Sequence, residues 1–310
     1  MKNISLDSSH LREKLDKHAM LAHLRDIPGQ CSMGWTRGLG LDIPSDYCDI
    51  DSIVVVGMGG SAMGADLARS LIQDQLSIPM VVVRDYGLPA YVGRRTLVIL
   101  SSYSGSTEET MTAFHEAASR GAKIIAVGGG ELLEKAPGPA ISICTRAMPR
   151  AAMVESMMLL LGILTKCGFI ADIDLMAPEL PGFAEKQSKR FDVVIPETDN
   201  PAKCLARSLV GRVPVVIGSG ITAPVARRWK AQFNENGDQW AVMDELPEFS
   251  HNTIQGVNLP SRAADLFYVI MLVSEDDRLQ TRRQAEVGSH LITEAGIPVE
   301  TVKAEGSDCL

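Results

Sequence analysis

The chain has 310 residues, 45% apolar and 22% charged, with a net charge of −8; this is the make-up of a globular protein of about two domains. An acidic balance, with a pI of about 5.3, speaks against a general nucleic-acid binder. The longest apolar runs, 157–164 and 266–273, fall well short of the ~18 residues that span a bilayer, so no membrane association is expected.

The polar start MKNISLDSSHLREKL does not read as a secretory signal and points to the cytoplasm. Residues 1–50 hold two short helical patterns, broken at Pro28-Gly29 and by the glycine-rich stretch 34–40. They read as an N-terminal helical cap. From Asp51 onward, short β-branched runs end in Gly or Ser loops, at 53–56, 80–83, 97–100, 124–127 and 141–144. Segments of helical length separate them, notably 62–73 and 107–120. Such alternation indicates parallel βαβ units buried on both faces. An apolar helix over 151–167, opened by Pro149, begins a connector that runs to residue 190. Its methionine-rich run reads as core packing.

The second half repeats the theme, with a strand at 213–217, the loop Gly218-Ser219-Gly220 and a helix from Thr222. Further strands are expected at 241–243, 266–273 and 299–302, and a helix at 279–293. IVVVGMGGSAMGADLARSL and VPVVIGSGITAPVARRWKAQF share the order strand, glycine loop, helix, a weak internal duplication. The expected class is α/β: two doubly wound, flavodoxin-like αβα sandwich domains with parallel sheets, at 51–150 and 191–310. Ligands in such folds sit at the carboxyl ends of the strands.

Several loops carry candidate chemistry. Gly57-Met58-Gly59-Gly60-Ser61-Ala62 satisfies the dinucleotide pattern G-x-G-x-x-A, and equally reads as a tight βα turn. A dinucleotide site wants an acidic residue at the end of the next strand, ~20 residues on. Here that strand ends Val83-Arg84-Asp85, with the carboxylate late and beside a cation. The loop SSYSGSTEET, residues 101–110, carries hydroxyls at Ser101, Ser102, Ser104, Ser106 and Thr107. Hydroxyls and free N–H groups at a helix N-terminus form a neutral cradle for an anion. Ser106 with Glu109 fits a capping box, which leaves four further hydroxyls unexplained, so phosphate binding is the favoured reading. The lysine of a nucleotide P-loop is missing.

Glu235, in Asn234-Glu235-Asn236-Gly237-Asp238, falls at the end of the helix from Thr222, with Asn236-Gly237 as its stop signal. The negative end of the helix dipole favours its protonated form, which suits a general base near neutrality; a solvated surface glutamate is the alternative. His251, with Glu248 nearby, is either an exposed turn residue or a proton carrier. Arg150, at the mouth of the connector helix, is either a surface cation or a clamp for an enediolate. The six cysteines (31, 48, 144, 167, 204, 309) form no CxxC and read as reduced, mostly buried thiols. The scattered histidines lack metal-ligand spacing, so no metal is expected.

In this order GMGGSA, SSYSGSTEET, a Pro-Arg before a long apolar helix, NEN and ELPEFSHN resemble the bifunctional phosphoglucose/phosphomannose isomerases, built from two sugar-isomerase (SIS) domains. The resemblance runs from about residue 10 to the end. It implies five-stranded parallel sheets and isomerisation of glucose 6-phosphate or mannose 6-phosphate to fructose 6-phosphate. That reaction would proceed by metal-free cis-enediolate proton transfer, without a cofactor, in a homodimer. By position, Gly59, Gly60, Ser61, Ser102, Ser104 and Thr107 would hold the sugar phosphate. Glu235 would be the base, Arg150 the enediolate stabiliser and His251 the ring-opening acid, supplied by the partner subunit. The family continues into a helical segment with a catalytic lysine, whereas this chain stops at Cys309-Leu310 after the helix-start signal Gly306-Ser307-Asp308. Either a further helix follows Leu310 or this member lacks that group, and the lysine transfers to no residue present. Two other readings stand beside this one. A sugar-phosphate-sensing SIS module without catalysis would need neither Glu235 nor His251. A nicotinamide-dependent oxidoreductase would use GMGGSA as its Rossmann loop, and NADH fluorescence titration separates it.

Overall fold

The computed structural model describes residues 5–170 and 179–305, and the chain divides into two compact units, 16–188 and 1–15 with 189–310. Helix α1 (Ser9–Leu15) belongs to the latter, here the second unit. The first unit opens with α2 (Met20–Arg25) and α3 (Ile27–Leu39). It continues through β1 (Ser52–Val56), α4 (Gly59–Ile72), β2 (Met80–Val83), β3 (Thr96–Ser102), α5 (Glu108–Ser119) and β4 (Lys123–Gly128), then α6 (Gly130–Lys135), β5 (Ala140–Ser142) and α7 (Met153–Lys166).

Its five strands form one parallel sheet in the order β2-β1-β3-β4-β5. β1 and β3 are buried along their whole length, as central strands covered on both faces must be. Side chains alternate across the sheet. Val54, Val98 and Ile124 pack with Met111 and Phe114 of α5, while Val55, Ile99 and Val127 face Ala65 of α4 and Leu160 of α7. These are the three layers of an αβα sandwich.

The break expected at Pro28-Gly29 falls two residues earlier, at Asp26 between α2 and α3, and α3 runs on through Gly34 and Gly38 to end at Leu39. Pro28 sits in the first turn, where a missing N–H is no loss. The later glycines serve close helix packing rather than a turn. A Cβ on Gly38 would stand 2.5 Å from the Leu159 carbonyl oxygen of α7, and forcing such an atom into a packed contact costs about 1–3 kcal/mol. The fifth strand ends at Ser142, short of the expected 144. The N–H groups of Cys144 and Thr145 turn instead to the Glu155 carboxylate.

In chain order there follow α8 (Leu180–Arg190), α9 (Pro201–Ser208), β6 (Val213–Ser219), α10 (Ala223–Gly237), β7 (Val242–Leu246), α11 (Ala263–Leu266), β8 (Phe267–Val273), α12 (Leu279–Glu294) and β9 (Val299–Lys303). The second sheet is also parallel, in the order β7-β6-β8-β9. It has four strands among the described residues, where the resemblance implied five. Ile217 and Met271 pack with Ala285 and Ile292 on one face, and Val216, Ile270 and Leu272 with Leu205 and Ala226 on the other.

The N-terminal segment is tied into this second unit. The Lys203 ammonium donates to Asp7 Oδ1 at 2.7 Å and to the carbonyls of Val193 and Ile195 at 2.8 and 2.6 Å. Hydrogen bonding to Lys203 holds the Asp7 carboxyl below its ordinary value, and Arg207 does the same for Glu197.

Two smaller expectations need correction. The left-handed residue that ends α10 is Asp238, with φ 46°, not the glycine before it. The cysteines are not mostly buried: Cys31 is, Cys48 and Cys167 are half-buried, and Cys144 and Cys204 are exposed. Burial pushes the Cys31 thiol up to about 11, so it is inert near neutrality. Cys309 and the helix-start signal at 306–308 lie outside the described residues. No helix among those described is long and apolar enough to cross a membrane.

Candidate active site

The strand order of the first unit reverses direction between β1 and β3, the switch point at which ligands enter flavodoxin-like sheets. Both glycine- and hydroxyl-bearing loops leave the sheet there. GMGGSA comes after β1, and α4 begins at its Gly59 without a side-chain cap. SSYSGSTEET starts with the last two residues of β3, and α5 begins after Thr107, again without a side-chain cap. The Ser106–Glu109 capping box is therefore absent. Ser106 donates from both its N–H and its hydroxyl to Ser104 Oγ, at 3.3 and 3.4 Å.

The remaining hydroxyls are organised within the loop. Ser102, buried, lies 2.9 Å from the Thr107 hydroxyl, and its Oγ accepts from Gly105 N at 3.1 Å. Ser61 Oγ, from the other loop, accepts from Tyr103 N at 3.3 Å. Ser104 is exposed and Thr107 half-exposed. Two uncapped helix N-termini and these hydroxyls thus converge on one edge of the sheet, a setting that favours an anion without fixed positive charge. Outside this cradle, Glu109 and Glu108 at the start of α5 push up the Tyr86 phenol.

Gly60 connects the cradle to Arg150. A Cβ there would stand 2.5 Å from the Pro149 carbonyl oxygen and 3.1 Å from Arg150 N, so only glycine lets the arginine segment lie this close to the start of α4. Arg150 itself is half-buried in a short 3-10 turn over Pro149–Ala151. The acidic residue a dinucleotide site would want after β2 is instead Arg84, paired with Asp66 of α4.

In the second unit the candidates sit at opposite ends of the sheet. Glu235 is exposed in the last turn of α10. Beside it Asn234 Nδ2 donates to Gln239 O at 2.8 Å, and Gln239 Nε2 donates to Arg212 O at 2.6 Å, immediately before β6 begins. This is the amino edge of the strands. His251 lies beyond the carboxyl end of β7, exposed in the 3-10 turn Glu248–His251. Phe249, 2% exposed, anchors that turn in the core. β7 alone spans roughly 13 Å at about 3.3 Å per residue.

Sequence reasoning missed three residues that hold the Arg150 segment. Glu155, fully buried, accepts from Cys144 N at 2.8 Å, Thr145 N at 2.7 Å and Arg37 Nη1 at 3.0 Å. Gln30, also fully buried, donates to Ala151 O at 3.0 Å. The Tyr103 hydroxyl donates to Thr145 O at 2.9 Å and accepts from Ala147 N at 3.0 Å. The one available signal was Glu155, a lone charge inside the apolar run MVESMMLLLGIL. Among the described residues, no three His, Cys, Asp or Glu side chains group as metal ligands would.

Comparison with known proteins agrees with the fold. Residues 47–165 match the SIS domain family, and residues 198–310 match the bacterial phospho-glucose isomerase C-terminal SIS domain. A bifunctional phosphoglucose/phosphomannose isomerase of Caldicellulosiruptor bescii is 36% identical over 278 residues, 88% of this chain and 82% of that protein. The protein of the same name from Aquifex aeolicus is 31% identical over 87% of this chain and 81% of its own length. Among solved structures, the C-terminal domain of glucosamine-fructose-6-phosphate aminotransferase from Francisella tularensis superposes with a TM-score of 0.68 at 13% identity, covering 93% of this chain and 84% of that one. Two parallel αβα units, matching SIS families and relatives above 30% identity over most of their length lead to one conclusion: the chain belongs to the bifunctional phosphoglucose/phosphomannose isomerase family.

Proposed function

We propose that this protein is an aldose–ketose isomerase that interconverts glucose 6-phosphate or mannose 6-phosphate with fructose 6-phosphate. One observation carries the reading. The hydroxyls of 101–107, the uncapped start of α4 and the backbone of Arg150 lie together at the switch point of the first sheet.

In this reading Ser102, Ser104 and Thr107, with the N–H groups around Gly59, Gly60 and Ser61, hold the phosphate and so fix the reacting carbons at a set distance. His251 opens the ring by moving a proton between the ring oxygen and the anomeric hydroxyl. Glu235 then takes the C2 proton and returns it to C1, through a cis-enediolate whose negative oxygen is stabilised by Arg150. Such a fixed cation is worth roughly 3–4 kcal/mol in comparable sites. Glu235 gives a proton back to C1, exchangeable with solvent while the carboxyl holds it, and the O2 hydroxyl proton passes to O1, so atoms and electrons balance and no oxidant or metal is required.

The opposite placement of Glu235 and His251 on the second sheet supports a homodimer in which His251 serves its partner's substrate. A cytoplasmic location fits a substrate of this kind. The test is conversion of fructose 6-phosphate to glucose 6-phosphate and mannose 6-phosphate by the purified protein, before and after EDTA. Equal rates are expected. A rate that falls with EDTA and returns with zinc would overturn the proposed chemistry.

A further inference from the structure

Between β5 and the turn at Pro149, residues 143–148 form neither helix nor strand. Backbone N–H and C=O groups in such a stretch must find partners elsewhere; Ile143 N finds the Gly128 carbonyl, and Cys144, Thr145 and Ala147 also find side chains. Thr145 is gripped from two sides: its N–H donates to Glu155 Oε2 at 2.7 Å, and its carbonyl accepts from the Tyr103 hydroxyl at 2.9 Å. Its own hydroxyl is buried without a hydrogen-bond partner, so its hydrogen bonds run through its backbone.

Glu155 and Gln30 reach this segment from helices of the core. Tyr103 reaches it from the hydroxyl loop itself, between Ser102 and Ser104. Its N–H donates to Ser61 Oγ at 3.3 Å, while its hydroxyl bridges Thr145 O and Ala147 N. One residue therefore touches the glycine loop, belongs to the hydroxyl loop and holds the segment that delivers Arg150.

We infer that Tyr103 is a positioning residue, which sets the distance between the phosphate cradle and the Arg150 guanidinium. This rests on the role given to Arg150 above. Phosphate binding raises the rate only if the stabilising cation stands at the right distance from the held phosphate. A misplacement of about 1 Å can cost up to ~10²-fold. The tyrosine hydroxyl is a direct side-chain tie between the two.

The test uses Tyr103→Phe, which removes one oxygen and keeps the ring. The kcat is expected to fall about tenfold while the KM for fructose 6-phosphate stays within about twofold. Affinity for inorganic phosphate should be unchanged, which also shows that the loops remain folded. Affinity for 5-phosphoarabinonate, a stable mimic of the enediolate, should fall by the same factor as kcat/KM. In an Arg150→Ala background the Tyr103→Phe change should cost nothing further. A raised KM at unchanged kcat, or additive losses in the double variant, would overturn the positioning role. A depressed kcat in Arg150→Ala beside a normal kcat in Tyr103→Phe would overturn it as well, with the arginine's role intact. A normal kcat in Arg150→Ala would overturn the arginine's role and this inference with it.

Discussion

The two sheets share one plan, β2-β1-β3-β4 in the first matching β7-β6-β8-β9 in the second, yet the glycine loops leaving their central strands differ in how their hydroxyls are used. After β1 the loop leads into α4 without a side-chain cap, and its Ser61 hydroxyl accepts from Tyr103 N of the neighbouring hydroxyl loop. After β6 the loop closes on itself. Ser219 N donates to Thr222 Oγ1 at 2.8 Å, and that hydroxyl donates to Ser219 O at 2.9 Å, with both residues buried. A carboxylate also stands at this turn, since a Cβ on Gly220 would lie 3.0 Å from Asp277 Oδ1. An anion arriving there finds its donors occupied and a like charge beside it. Duplication supplies the strand-loop-helix frame, and of the two equivalent glycine loops only the one after β6 is closed by a capping box of its own side chains.

The largest expected effect concerns the chemistry placed at the two ends of the second sheet. Glu235→Gln and His251→Ala should each lower turnover by about 10²–10⁴, the usual weight of a general acid or base. If the two groups in one site come from different chains, mixing the variants and allowing subunit exchange should restore about a quarter of wild-type activity. Half the dimers are then mixed, and each holds one whole site. An inactive mixture would mean that both groups serve the same chain's site.

Next comes the contrast between the loops. Ser104→Ala and Thr107→Ala should each weaken sugar-phosphate binding by about 1.5–3 kcal/mol, the range for a hydrogen bond to a charged group, with the melting temperature little changed. Thr222→Ala should do the opposite. It leaves Ser219 N buried and unpaired, at a cost of about 1–3 kcal/mol of stability, and leaves sugar-phosphate affinity alone. Equal effects on binding from both loops would erase the distinction.

How much could be read from the sequence depends on how local each signal is. β1 and β3 announce themselves because strands buried on both faces are continuous apolar runs, and the hydroxyl loop because five Ser and Thr side chains exceed what capping uses. α3 escaped because its glycines answer to Leu159 and Gly162, more than a hundred residues away, and look like breakers when taken alone. Ser219 and Thr222 look as available as Ser104 and Thr107 in sequence; only the fold shows that the first two close a buried turn while Ser104 is exposed and Thr107 half-exposed. The grip of Glu155 and Gln30 on the Arg150 segment is also a tertiary fact, with Gln30 and Ala151 121 positions apart.

The smallest expected effect separates the units by acid sensitivity. Asp7 is held below its ordinary value of 3.8, and Glu197 below 4.5, by hydrogen bonds to Lys203 and Arg207. A carboxyl depressed in the folded state stabilises fully above its unfolded value and loses that contribution as pH falls through its folded one. The pair Asp7–Lys203 should therefore support the second unit above about pH 5 and progressively less below it. Asp7→Asn should lower the urea midpoint at pH 7 and flatten its fall toward pH 3. An acid limb as steep as that of the wild type would show that the N-terminal tie does not contribute.

The proposed division of labour gives phosphate binding to the first unit and the C2 proton to Glu235 of the second. Its most direct test tracks solvent deuterium by NMR as Glu235→Gln is incubated with glucose 6-phosphate, alongside the affinity of the variant for the same sugar. Wild-type affinity with no deuterium at C2 of glucose 6-phosphate or C1 of fructose 6-phosphate is the expected result. Deuterium entering at the wild-type rate would show that another group moves the proton.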